Sequence, residues 1–225
     1  MGMKRTKLSD RRLPDYTKGE ELANMCTHIA GGVLGIVALI LCVVKAASVR
    51  NIYGVVGCSI YGASLIMLYT VSSVYHGLFP STAKKVMQVL DHCTIYFLIA
   101  GSYTPPALCA IRRVSPGGGW AIFGVVWGFC SIACVFTAID LHKYKKLAMI
   151  CYIGMGWCVV LAIRPVLASI AVPGIILLVS GGVAYTLGAV LYKLGDKMRW
   201  MHSVFHIFCI AGSALQFFCF YYYVI

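Results

Sequence analysis

Apolar runs of about 18 to 25 residues recur along the whole chain, and each is long enough as helix to cross a hydrocarbon core of roughly 30 Å. The stretch GGVLGIVALILCVV, residues 31–44, carries no charged or strongly polar side chain. Seven such runs are expected as spans, over residues 22–44, 52–76, 87–111, 119–139, 146–163, 169–192 and 200–224, with short hinges of Arg, Lys, Pro and Gly between them. A closed barrel also satisfies its backbone in lipid, but barrel strands alternate apolar and polar residues, and these runs are continuous. A chain of 225 residues with 60% hydrophobic and 12% charged side chains and a mean hydropathy of +0.86 is not an ordinary soluble globule. The expected fold is an all-α integral membrane protein, a seven-transmembrane helix bundle.

The spans fill residues 21–225, leaving a basic segment, residues 1–20 (MGMKRTKLSDRRLPDYTKGE), and no room for a second folded domain. That segment lacks an apolar core and a small-residue cleavage site, so it is expected to stay attached. Orientation follows from the cations, which favour the cytoplasmic side of short loops. With the N-terminus inside, fourteen of the nineteen Lys and Arg fall on inner segments, so the N-terminus is expected to be cytoplasmic and the C-terminus outside. The formal charge of +12 is then spread over inner loops facing anionic lipid headgroups, and no nucleic-acid partner is implied.

The eleven cysteines lie within or at the edges of the apolar runs and form no Cys-x-x-Cys pair, so they read as small membrane-embedded residues. Cys130 and Cys134 are one helical turn apart, a poor geometry for a disulfide. Close glycines such as Gly31 and Gly35, or Gly181 and Gly182, read as places where helices approach. Pro105 and Pro106 are expected to kink the third span.

Polar groups inside a bilayer, ionisable ones above all, are costly, so the few present here point to a site. They are Glu21, Asn24 and His28; Ser72, Ser73 and His76; Asp91 and His92; and His202 and His206. In the expected topology all lie in the cytoplasmic half of the membrane, where they can be neighbours. The i, i+4 spacing of His202 and His206 puts both rings on one helix face, about 40° apart and about 6 Å along the axis. Ser72 lies one turn from His76 on its face. Three neutral imidazoles from two helices leave one position of a tetrahedral shell open, the arrangement of catalytic zinc. Asp91 is then either a fourth ligand or a carboxylate that orients the water in the open position and accepts its proton. A hydrogen-bonded polar cluster or a proton relay is the alternative. His28 is read as a supporting group or a hydrogen-bond partner of Asn24, His92 as turned roughly 100° from Asp91 around its helix and not a ligand, and His142 as a solvated loop residue.

The ordered set ELANMCTHIAGGVLG, SSVYHGLFP, LDHCTIYFLIAGSYTP and MHSVFHIF resembles the hemolysin III family of bacterial membrane proteins, relatives of the progestin and adipoQ receptors and, more distantly, of the alkaline ceramidases. The likeness runs through all seven spans. It implies a seven-helix bundle with a cytoplasmic N-terminus in the bacterial inner membrane. It also implies an intramembrane Zn2+ held by His76, His202 and His206, with Ser72 and Asp91 close by. The ceramidases hydrolyse a lipid amide, which makes a zinc-dependent lipid amidase or esterase the implied activity, with Asp91 moving the proton and Ser72 bonding the oxyanion or the zinc shell. The family name implies a rival, a pore-forming cytolysin, although the sequence has no amphipathic segment waiting to insert. A third reading is a receptor or regulator of membrane lipid state in which zinc is structural. In each reading the partners are membrane lipids.

Overall fold

The computed structural model describes residues 6–225; Lys4 and Arg5, counted above with the inner cations, lie outside the described residues. Seven helices long and apolar enough to cross a membrane follow one another: α1 Lys18–Ser48, α2 Ile52–Gly77, α3 Thr82–Val114, α4 Pro116–Ile139, α5 Lys145–Ser169, α6 Val172–Leu194 and α7 Met201–Val224. There is no strand among the described residues. Most helices outrun the apolar stretches that announced them, because hydropathy marks only the part that lipid must cover and the polar caps add turns. Thr17 starts α1 four residues before the apolar run with a reciprocal capping box, its hydroxyl accepting from the Glu20 amide while its own amide donates to Glu20 Oε2 at 2.8 Å. Asn51 caps α2 and Ser81 caps α3 by the same kind of bond to the third residue on.

Pro105 and Pro106 remove two successive amide donors from α3. The helix runs on through them with wider π-type turns over Pro106–Ile111. This is the central helix: 83% of its most apolar stretch is buried, against 50% or less for every other span. α1 packs between α2 and α7, α2 packs on α3, α3 on α4, and α6 on α7. Small residues permit the close crossings: a Cβ at Gly31 of α1 would stand 2.7 Å from the Tyr69 ring of α2. Outward faces carry large apolar side chains such as Leu161, Ile150 and Ile176, left bare of protein and therefore lipid-facing. All eleven cysteines are free thiols.

The N-terminal segment lies across one end of the bundle. Arg11 is buried and donates from Nη2 to the Ile139 carbonyl at 3.1 Å, the Thr6 amide donates to Asp140 Oδ2 at 2.9 Å, and His142 Nε2 meets the Arg12 carbonyl at 3.2 Å. This strap, residues 6–17, runs from the α4–α5 connection to the start of α1. At the same end Glu20 accepts from the Trp200 amide at 2.7 Å and from Arg199 at 3.2 Å. Those bonds hold Trp200 at φ 68, a left-handed conformation costly for a non-glycine residue, immediately before α7 begins.

Candidate metal centre

One helix end and two helix starts meet beneath the strap. His76 closes α2, His202 and His206 open α7, and Glu21, Asn24 and His28 form one face of the first turns of α1, at spacings of three and four residues. Because α1 lies between α2 and α7, that face addresses both. The donor nitrogens of His76, His202 and His206, all buried, lie within 4.8 Å of one another, and His202 Nε2 stands 3.1 Å from His206 Nε2.

Each ring is held from behind. His206 Nδ1 is 3.2 Å from the Asn24 carbonyl, to which only an N–H can donate, so the tautomer leaves the lone pair on Nε2. His76 Nδ1 is 2.6 Å from Glu21 Oε2, which assigns its proton in the same way, and His76 Nε2 is buried with no hydrogen-bond partner. His202 is stacked on the Tyr16 ring, centroids 5.0 Å apart and 26° from parallel. Asn24 is itself fixed by Ser203, whose hydroxyl donates to Oδ1 at 2.6 Å. Burial, aided by the nearby Tyr192, Glu21 and Asp91, pushes the Tyr16 phenol well above its ordinary range, so it stays neutral.

A tetrahedral zinc shell sets its nitrogens about 2.0 to 2.1 Å from the ion and hence about 3.3 Å apart. Donor nitrogens within 4.8 Å of one another are compatible with it, and the partnerless Nε2 of His76 is the atom an ion would satisfy. Three imidazoles without a thiolate or carboxylate suit zinc better than calcium or magnesium. Asp91 does not join the trio within that spread. It lines, with Ser72 as hydrogen-bond neighbour, a cavity of about 130 Å³ that runs into the bundle among Leu98, Trp157 and Tyr185 and touches His206. A second cavity, about 500 Å³ and far more polar, opens under the strap and touches Tyr16, Arg12, Lys197 and His202. Asp91, His92, Ile95, Tyr192 and Phe205 belong to both walls, so the two spaces adjoin at the level of the imidazoles.

The profile of the family described as Haemolysin-III related matches residues 16–217. The chain belongs to that family. This haemolysin-III-related chain is 35% identical over 214 residues to Hemolysin-3 of Bacillus cereus, covering 95% of each protein. It is 32% identical over 210 residues to a Hemolysin-3 homolog of Bacillus subtilis, covering 93% of this chain and 97% of that one. More distantly, it is 26% identical over 166 residues to the human monocyte to macrophage differentiation factor, covering 71% of this chain and 66% of that one.

Within this family member the histidines singled out by spacing are brought together, and Ser72 and Asp91 lie beside them on a shared cavity wall. Of the two readings of His28, support of the site agrees with the structure and the bond to Asn24 does not. His28 makes no bond to Asn24, whose Oδ1 is taken by Ser203; its ring stacks face to face on His206, centroids 3.5 Å apart and 9° from parallel, and both its nitrogens lack partners. His142 is exposed as expected but ties down the strap through Arg12. Sequence reading assigned no role to Glu21 or Tyr16. The spacing of Glu21, Asn24 and His28 on one face was a usable signal for the first; no local pattern announces that Tyr16 folds back onto His202.

Proposed function

We propose that this protein is a zinc-dependent hydrolase of a lipid amide or ester, resident in the bacterial inner membrane with its N-terminus cytoplasmic and its site at inner-leaflet depth. The observation that carries this reading is the trio of imidazoles gathered where an apolar and a polar cavity adjoin, with the outer nitrogens of His76 and His206 committed to Glu21 and the Asn24 carbonyl. His76, His202 and His206 are the three ligands, and with Asp91 outside the trio one coordination position is left for reacting groups. Bound there, zinc supplies Lewis acidity toward a carbonyl and lowers the pKa of water.

The remaining work falls to the chain. The apolar cavity takes the acyl chain and keeps bulk water from the reacting carbonyl, while the polar cavity takes the head portion. The Asp91 carboxylate accepts the proton of the attacking water and returns it to the leaving nitrogen or oxygen. The Ser72 hydroxyl donates to the carbonyl oxygen as charge develops on it. Among the described residues, twelve of the seventeen Lys and Arg lie on the strap and on the segments at its end of the bundle, which supports the orientation.

The name Hemolysin-3 carried by the Bacillus relatives favours a second reading, a pore-forming cytolysin. A pore needs a polar face through the full membrane depth, and the inner cavity is walled mainly by apolar side chains, which supports the hydrolase instead. The test is product release, followed by mass spectrometry, from a panel of N-acyl and O-acyl lipids. Zinc-loaded protein is expected to turn over at least one class, to stop with a chelator and to resume on zinc addition. No turnover across the panel by protein shown to carry zinc would overturn the enzymatic reading.

A further inference from the structure

The three imidazoles are not supported alike. His206 is held by a neutral carbonyl and His202 by an aromatic face, whereas His76 alone meets a carboxylate, Glu21 Oε2 at 2.6 Å. Glu21 is not free to leave: its other oxygen accepts from Lys84 Nζ at 2.7 Å, and Lys84 Nζ also donates to the Leu78 carbonyl at 2.8 Å, just past the end of α2. The side chains of His76 and Lys84 are 0% and 4% exposed and that of Glu21 20%, so water contributes little to holding this chain of contacts in place. Lys84 comes from the first turn of α3, Glu21 from that of α1 and His76 from the last turn of α2, so the row joins three helices at the site.

We propose that Glu21, clamped by Lys84, is the positioning residue of the metal site: it fixes the proton of His76 on Nδ1 and turns the Nε2 lone pair toward His202 and His206. The inference rests on the metal reading above. A carboxylate bonded to the far nitrogen of a ligating imidazole fixes its tautomer and orientation and makes it a stronger donor, and losing such a partner typically costs 10- to 100-fold in metal affinity. Lys84 supplies the counter-charge without which a carboxylate at this depth would be costly. The partnerless Nε2 of His76 is the counterpart on the metal side, since with Nδ1 taken by Glu21 it is the nitrogen left to bind.

A purely structural ion pair between α1 and α3 would look the same at Glu21 and Lys84, so the test separates the two roles. Zinc affinity by chelator competition and the visible absorption of the Co(II)-loaded protein are measured for wild type, Glu21→Gln, Glu21→Asp and the double variant Glu21→Gln/Lys84→Gln, together with the thermal stability of each metal-free protein. The double variant removes both charges, so it avoids the lone buried Lys84 that Glu21→Gln leaves. The expected result is zinc binding weakened at least tenfold in Glu21→Gln and in the double variant, with an altered Co(II) spectrum in both, and a smaller loss in Glu21→Asp, whose carboxylate falls short by one methylene. A folded double variant that binds zinc like wild type with an unchanged Co(II) spectrum would overturn the inference, whatever its thermal stability. Wild type that binds no metal while its fold is intact would overturn the metal reading beneath it.

Discussion

Asp91 and Ser72 stand beside the imidazoles without joining them, and that separation makes their role testable apart from metal binding. Asp91→Asn is expected to keep zinc at wild-type stoichiometry and to lose about 10²- to 10⁴-fold in turnover, the range for removing a general acid–base. Loss of zinc together with activity would make Asp91 a ligand instead. His28 offers a complementary case. Its two buried, partnerless nitrogens are a standing cost, and its contact with His206 is through the ring face. His28→Phe keeps the ring and removes the two polar atoms, so stability in a thermal unfolding assay is expected to be unchanged or raised, with zinc retained; zinc lost from a folded variant would show that His28 itself reaches the ion. Sequence made the trio legible because i, i+4 spacing on α7 and a helix-end histidine on α2 need no tertiary knowledge. Glu21 and His28 were visible as costly polar groups, but periodicity gives only the face of a helix. Which neighbour that face meets depends on how α1 is rotated between α2 and α7.

At the scale of elements, the bundle was legible and the strap was not. Apolar length announces a span directly, whereas a polar segment folded over a mouth depends on single contacts such as Arg11 with the Ile139 carbonyl. Through Tyr16 the strap covers His202, so Tyr16→Ala is expected to speed the removal of zinc by an added chelator several-fold while leaving equilibrium stoichiometry at one; an unchanged rate would deny the strap any shielding role. Asp140 anchors it. Burial alone would raise this carboxyl, but bonds from Thr6 and from the Lys143 amide, with the charge of Arg11, outweigh that and hold it at about 2 against an ordinary 3.8. A group depressed in the folded state stabilises it fully above the unfolded value and loses that contribution as pH falls. Strap mobility, read from a spin label at position 7, is therefore expected to rise between about pH 4 and pH 2, and in Asp140→Asn to be high already at neutral pH. The α1–α2 crossing is as specific: Gly31→Val would drive Cβ into the Tyr69 ring and is expected to cost about 1 to 3 kcal/mol.

At the scale of the whole molecule, seven membrane-spanning helices packed around a central α3 place a polar pocket at one end of an otherwise apolar bundle, with an apolar cavity leading inward from it. In the proposed reading a lipid enters by its tail and presents its head to the strap side, and the family to which the chain belongs is consistent with a multi-pass membrane protein. Hydrolysis at this site and the positioning role of Glu21 both require that the three imidazoles hold a metal ion. The most direct measurement is metal content by mass spectrometry of detergent-purified protein, wild type beside His202→Ala/His206→Ala, prepared without chelators, supplemented with zinc and checked for folding by thermal unfolding. About one zinc per wild-type chain, absent from a double variant that remains folded, is the predicted result. Folded wild type with no bound metal would contradict the account and leave the histidines as a buried hydrogen-bonded cluster.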